Sequence, residues 1–256
     1  MLKLIDILGV NIAVVNIPRA CAYIEDCIAR KEKTYICVAT VSTVVDCQKD
    51  AEYRRIINGA GMTTPDGIPL VWLGKLRGEK TIERTYGPDL MQAFCDLSQQ
   101  RGYRHYFLGG MRGKNSLLVE KLKAMFPKLQ MTGSYAPPVR SIGEIEEYLV
   151  LDQINKADPD VLWVGLGSPK QDYWMRNHRG KLDVPIMIGV GAAFDFIAGT
   201  KRQAPLWMRR CGLEWFFRLC YEPKRLWKRY LVGNTEFIYY LLKDFLRNKI
   251  KRDVVP

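Results

Sequence analysis

Four apolar runs of strand length, residues 34–39, 103–108, 161–166 and 185–190, recur along this 256-residue chain, each followed by a small-residue or polar turn. Between them, residues 46–59, 90–101, 115–126 and 142–156 carry apolar side chains at helical spacing with charged residues elsewhere, which predicts covering helices. Short apolar strands alternating with amphipathic helices specify an α/β domain with a largely parallel sheet flanked by helices.

Ligands of such sheets bind beyond the carboxyl ends of the strands, so the residues just after each apolar run carry the functional information. Four turns fall there: Thr40, Val41 and Ser42; Gly109, Gly110, Met111, Arg112 and Gly113; Gly167, Ser168, Pro169, Lys170 and Gln171; and Gly189 through Val190, Gly191, Ala192, Ala193 and Phe194 to Asp195. Three of the four are glycine-rich, which lets backbone N–H groups approach an anion, and each leads toward a helix N-terminus that favours phosphate. Their coincidence at one sheet edge predicts a nucleotide ligand. None matches the Walker or GxGxxG pattern, which counts against a dinucleotide-dependent dehydrogenase.

Charge is regional. The formal net charge is +12, and from Lys201 to Pro256 fourteen Lys/Arg stand against five Asp/Glu. Eleven of the 28 aromatic residues lie in the same stretch. Trp207, Trp215, Phe216, Phe217, Tyr221, Trp227 and Tyr230 alternate there with Arg209, Arg210, Arg218, Arg225, Lys228 and Arg229, a pattern suited to anchoring beside anionic lipid. A helical element packed on the core by its aromatics is the plainer reading, and the two are compatible. The chain therefore divides into an α/β core, residues 1–199, and a basic, aromatic-rich helical appendage, residues 200–256. The modest charge of the first 200 residues argues against nucleic acid as the partner, although a non-enzymatic basic scaffold for membrane or nucleic acid is the competing class. No apolar stretch has the length of a membrane span. Seven scattered cysteines with no CxxC spacing point to a reducing, cytosolic setting, and two distant histidines make a histidine-ligated metal unexpected.

Asp66 sits in a Pro65-Asp66-Gly67 turn. That is ordinary turn chemistry, yet a carboxylate on such a loop is also placed to take a proton from an attacking hydroxyl. Glu83, Arg84, Lys170, Gln171 and Asp172 offer groups for holding a diphosphate or reading a base. Asp158-Pro159-Asp160 matches the DxD pattern of metal-dependent glycosyltransferases, but it precedes the strand at Val161 and belongs to the sheet edge opposite the ligand turns.

These motifs together resemble the WecG/TagA/CpsF glycosyltransferases, glycosyltransferase family 26. The resemblance runs from about Ile36 to Tyr230 through Val38-Ala39-Thr40, Pro65-Asp66-Gly67, Glu83-Arg84 with Gly87, the Gly165 to Gln171 segment, Gly191 to Asp195, Ala204-Pro205, Gly212-Leu213-Glu214-Trp215, Arg218-Leu219, Glu222-Pro223 and Arg225. It implies a Rossmann-like core completed by the appendage. It also implies an inverting, metal-independent transfer, without a cofactor, from a UDP-sugar to a polyprenyl (undecaprenyl)-diphosphate-linked sugar at the cytoplasmic membrane face, in polysaccharide or teichoic acid assembly. Position by position, Asp66 resembles the general base and Thr40 the threonine of the same pocket. Arg84 and Gln171 resemble donor-binding residues, and Arg218 and Arg225 resemble diphosphate partners. Gly109, Gly110, Gly167 and Asp195 complete the expected substrate contacts. Two positions depart from the pattern: Ser42 replaces a usual asparagine, and Lys228 stands where a third arginine is common. Serine keeps a hydroxyl but loses the amide's paired donor and acceptor, and lysine keeps charge without the guanidinium fork. An anionic membrane surface is the expected further partner, and a homo-oligomer is left open.

Overall fold

The computed structural model describes residues 2–110, 115–137 and 144–254. The chain opens with a hairpin, β1 (Leu4–Ile7) and β2 (Val10–Ala13), whose two-residue turn Leu8-Gly9 has positive φ at both positions, the geometry that matches strand twist. Helix α1 (Ile17–Ala29) follows, started by Asn16, whose side chain accepts from the Arg19 N–H. Then come β3 (Thr34–Ala39), α2 (Val41–Lys49), α3 (Ala51–Asn58), β4 (Met62–Pro65), α4 (Ile68–Leu76) and α5 (Gly87–Arg101). The middle of the chain forms β5 (Arg104–Gly109), α6 (Asn115–Met125), β6 (Gln130–Tyr135), α7 (Glu144–Ala157), β7 (Val161–Gly165), α8 (Lys170–His178), β8 (Ile186–Gly189) and α9 (Ala193–Ile197). Helices α10 (Leu206–Arg210), α11 (Glu214–Tyr221) and α12 (Pro223–Trp227), a π-helical turn (Lys228–Val232) and α13 (Gly233–Val254) complete it.

Six strands form one sheet in the order β4-β3-β8-β7-β5-β6, and every neighbouring pair is parallel. The alternation of side chains along each strand divides the core in two. Tyr35, Cys37, Tyr106, Leu108, Leu162, Val164 and Met187 face a layer built by α2, α3, α7 and α8. Ile36, Phe107, Trp163, Ile186 and Ile188 face α1, α5, α6 and α9. Each fully buried large side chain contributes about 1.5–3 kcal/mol of transfer free energy, so covering both faces accounts for the uniformly apolar strands. The final helix joins this core: Phe237 is buried within the first layer, with Tyr240 and Leu241 packed against it.

The expected fold is the one observed, with local differences. The helix expected over 46–59 is two helices, and the first begins at Val41 directly after β3. Asp50 ends one and restarts the next, its carboxylate accepting from the N–H groups of Glu52 and Tyr53. Met111, Arg112 and Gly113 of one expected turn, and the first two residues of the helix expected at 142–156, lie outside the described residues. The hairpin, β4 and β6 were not anticipated, being short or, in β6, alternately exposed. Asp158 and Asp160 bind Arg104 where β5 and β7 begin, at the amino edge of the sheet.

At the opposite edge β5 and β7 close on each other as bare backbone. A Cβ on Gly109, whose φ is +126°, would lie 2.5 Å from the Gly165 carbonyl carbon, and one on Gly165 would lie 2.6 Å from the Phe194 ring. Alanine at either position is expected to cost about 1–3 kcal/mol, read as a fall in Tm of about 2–4 °C per kcal/mol in a chain of this size. An unchanged melting curve for Gly109→Ala would show that the strand ends yield.

Candidate active site

The carboxyl edge of β3 and β4 opens into a cavity of about 460 Å³ walled by the core on one side and by α10, α11, the π turn and α13 on the other. Thr40, the residue that caps α2, lines it. Its hydroxyl accepts from the Thr43 N–H while the Thr43 hydroxyl accepts from the Thr40 N–H, a reciprocal cap that fixes the first turn. Asp66 follows β4, its N–H and that of Gly67 both donating to the Ala39 carbonyl, so the Pro-Asp-Gly turn is tied to the end of β3.

Arg84 determines how Asp66 is presented. Its Nε and Nη2 donate to Asp66 Oδ1 at 3.1 and 2.8 Å, and Nε also donates to the Asp66 carbonyl at 2.7 Å. The same Nη2 donates to Glu214 Oε2 at 2.7 Å, and the Tyr86 hydroxyl donates to Glu214 Oε1 at 3.0 Å. The guanidinium stacks over the Tyr86 ring at 4.2 Å. Both side-chain hydrogen bonds to the Asp66 carboxylate end on Oδ1; Oδ2 takes no hydrogen bond from the described residues, and Asp66 lines the cavity. Burial pushes the Asp66 pKa up; Arg84 opposes that shift and the neighbouring Glu214 adds to it, leaving the carboxyl above its ordinary value. Burial also works against the Arg84 charge, but Asp66 and Glu214 outweigh it and hold the guanidinium firmly protonated.

Three further cations line the cavity. Arg218 makes no ion pair among the described residues and lies between this cavity and a second one of about 270 Å³ lined by Phe196, Thr200, Lys201, Arg202, Phe217, Tyr221 and Glu222. Arg209 lies over the Tyr86 ring, 3.7 Å from Asp89. Arg229 Nε donates to Ser42 Oγ at 3.0 Å, joining the π turn to the first turn of α2.

The structure thus gathers Thr40, Ser42, Asp66, Arg84 and Arg218 around one cavity. The remaining candidates are distributed differently. Gln171 is buried between two glycine loops, its Oε1 accepting from the N–H groups of Gly167 and Gly191 and its Nε2 donating to Ser168. The Gly110 N–H donates to the Gly165 carbonyl. Those glycine N–H groups are therefore engaged within the protein, and Gly109 serves the close approach of β5 to β7. Asp195 pairs with Lys201 and accepts from the Thr200 hydroxyl. Arg225 pairs with Glu222, and Lys228 lies beside the Trp227 ring; neither lines the cavity. The π turn carries one more residue per turn than an α-helix, and it is Arg229 that reaches the site from this segment.

Sequence reasoning gave Glu214 and Tyr86 no role. The available signal for Glu214 was an acid set among aromatics in an otherwise basic segment. Among the described residues no group of three or more His, Cys, Asp or Glu side chains is arranged to hold a metal ion. Nor, among those residues, is any helix long and apolar enough to cross a membrane.

The carboxyl edge of a parallel α/β sheet thus presents a tethered carboxylate beneath a cationic helical cover. Residues 5–251 match the family model described as Glycosyl transferase WecG/TagA/CpsF family, and the chain belongs to that family; it is a hexosyl-transferring enzyme. Among its relatives is the N-acetylglucosaminyldiphosphoundecaprenol N-acetyl-beta-D-mannosaminyltransferase of Bacillus subtilis (strain 168), 31% identical over 225 residues and covering 84% of this chain and 85% of the relative. The protein of the same name from Bacillus spizizenii is 29% identical over 197 residues, covering 77% and 74%. That of Staphylococcus aureus (strain N315) is 24% identical over 250 residues, covering 97% and 95%.

The charge triad makes an activity-independent prediction. Arg84→Gln removes the cation that lowers the Asp66 pKa, so the Asp66 carboxyl should titrate at higher pH than in the parent when followed by carbon NMR; Glu214→Gln removes a like charge and should move it lower. The reverse order would disprove the arrangement.

Proposed function

We propose that this enzyme transfers an N-acetylhexosamine, N-acetylmannosamine in the first instance, from a UDP-sugar to a sugar carried on undecaprenyl diphosphate, with inversion at the anomeric carbon. The single observation that carries the reading is Asp66, held through one oxygen by Arg84 with the other oxygen open to a cavity that is cationic at one end and apolar at the other. A lipid-linked diphosphate sugar has the same polarity profile. The names of the relatives specify a diphosphoundecaprenol acceptor for those proteins, which supports the same acceptor class here.

In this mechanism Asp66 Oδ2 takes the proton of the acceptor hydroxyl as its oxygen bonds to the anomeric carbon, and the bond to the UDP oxygen breaks on the opposite face. A raised carboxyl pKa makes Asp66 a stronger base than an exposed aspartate. UDP leaves with one more negative charge than it carried in the donor, on the oxygen released from the anomeric carbon, and Arg218, standing where the two cavities meet, is the cation free to meet it. Arg229 supplies the second cation on the side of Ser42. This assignment replaces the glycine N–H groups, which are already bonded within the protein. Inversion and metal independence belong to the same proposal.

The C-terminal helices serve as both lid and anchor. Trp207, Phe216, Tyr221 and Trp227 are exposed among arginines and lysines, the composition that binds the interface of an anionic membrane at its cytoplasmic face. The same segment contributes Glu214, Arg218 and Arg229 to the site, so membrane arrival would complete it in assembly of a cell-surface polysaccharide or teichoic acid.

Purified enzyme, a panel of UDP-sugars and a lipid-diphosphate-GlcNAc acceptor, with products read by mass spectrometry, test the reaction. Asp66→Asn should lower kcat by about a hundredfold or more while the fold is retained; full activity in that variant rules out the base. Because the base must be ionised, activity is lost as pH falls through the Asp66 pKa. The acid limb of kcat/KM should therefore lie above the ordinary carboxylate range, move up in Arg84→Gln and move down in Glu214→Gln. Anionic vesicles should raise turnover on a water-soluble acceptor analogue, and equal rates with and without them would remove the lid from the mechanism.

A further inference from the structure

The apolar end of the large cavity is not closed. Helix α4 is apolar on two sides: Leu70 and Val71 are buried in the core, while Trp72 and Leu76 remain 54% and 83% exposed. Across the opening, α13 repeats the pattern. Phe237, Tyr240 and Leu241 pack on the core, and the adjoining face, about 100° further round the helix, carries Ile238, Leu242 and Phe245 at 58%, 58% and 67% exposure. Trp72, Leu76, Ile238 and Leu241 line the cavity that also contains Asp66, Arg218 and Arg229. Leu242 and Phe245 extend the same stripe one turn further from the catalytic carboxylate.

An apolar groove continuous with a charged site implies a ligand that is charged at one end and hydrocarbon at the other. We infer that the groove between α4 and α13 receives the diphosphate-proximal isoprene units of the acceptor, with Trp72 and Leu76 on one wall and Ile238, Leu242 and Phe245 on the other. The inference rests on the acceptor being polyprenyl-diphosphate-linked and goes beyond it by giving the chain its own binding site in the protein. Two features favour an isoprenoid over the bilayer itself. The groove runs into the cavity instead of lying on a convex surface. Its two walls come from helices far apart in sequence, so together they flank a single chain.

Selectivity follows. Each buried methylene contributes about 0.8 kcal/mol, close to a fourfold gain in affinity, so even a single isoprene unit in the groove gives a measurable preference for longer chains. Because Leu76 and Ile238 are exposed, the double variant Leu76→Gln/Ile238→Gln leaves the core intact.

The first test does not depend on sugar transfer. Full-length protein is irradiated with a diazirine-bearing farnesyl diphosphate and the adducts are mapped by mass spectrometry. Labelling concentrated on peptides of α4 and α13, and reduced about tenfold or more in the double variant, is the expected result; adducts elsewhere, or undiminished labelling, overturn the groove. The second compares kcat/KM for undecaprenyl- and ethyl-diphosphate-linked GlcNAc in one detergent, without vesicles. The parent should favour the prenyl acceptor by about tenfold or more, and in the double variant the kcat/KM values for the two acceptors should converge. A variant that retains the preference but binds vesicles less well would identify the face as a bilayer contact. One that retains it but no longer self-associates would identify a copy-to-copy interface, and either result overturns the proposal. If the parent transfers sugar to neither acceptor, the transferase reading fails on its own account, and the labelling still decides the groove.

Discussion

Everything at the catalytic edge depends on one guanidinium shared by two carboxylates. Arg84 leaves the core beside β4, holds Asp66 through its backbone and one carboxylate oxygen, and extends the same nitrogen to Glu214 of α11. All three side chains are largely buried, so none is tolerable without the others: a lone charge there would neutralise or drag in water. The pairing therefore does two things at once. It orients the Asp66 carboxylate, and it fastens the C-terminal helices to the carboxyl edge of the sheet.

The glycine loops play a different part from the one their composition suggests. Gln171 pulls the Gly167 and Gly191 loops together, and the Gly109–Gly165 contact lets β5 and β7 end side by side. Their backbone donors are consumed in shaping the edge. The cations that line the cavity from the C-terminal segment, Arg218 and Arg229, arrive on helical elements and not on loops. A site made this way is assembled from two sources, a rigid edge and a cover.

The fold was readable because a parallel sheet buried on both faces writes itself as uniform apolar runs, and residues 34–39 or 161–165 admit few other readings. Asp66 was readable as a position, since a Pro-Asp-Gly turn after a strand falls at the ligand edge. What sequence could not give was the partner of each charge. Arg84 looked like a ligand contact, yet its nearest acceptors lie 18 and 130 residues away within the protein. The difference between Lys228 and Arg229 is one residue, and it was decided by a π turn that leaves no signature in apolar spacing. Nothing in the sequence separates Leu76 and Ile238 from core positions; only the packing of α4 and α13 leaves them outside.

Glu214 acts on Asp66 more strongly than Arg218 does, and with the opposite sign, so seating the C-terminal helices raises the proton affinity of the Asp66 carboxyl. Linkage makes that relation run both ways. Whatever free energy the closed cover contributes to holding a proton on Asp66, a proton on Asp66 returns to the closed cover.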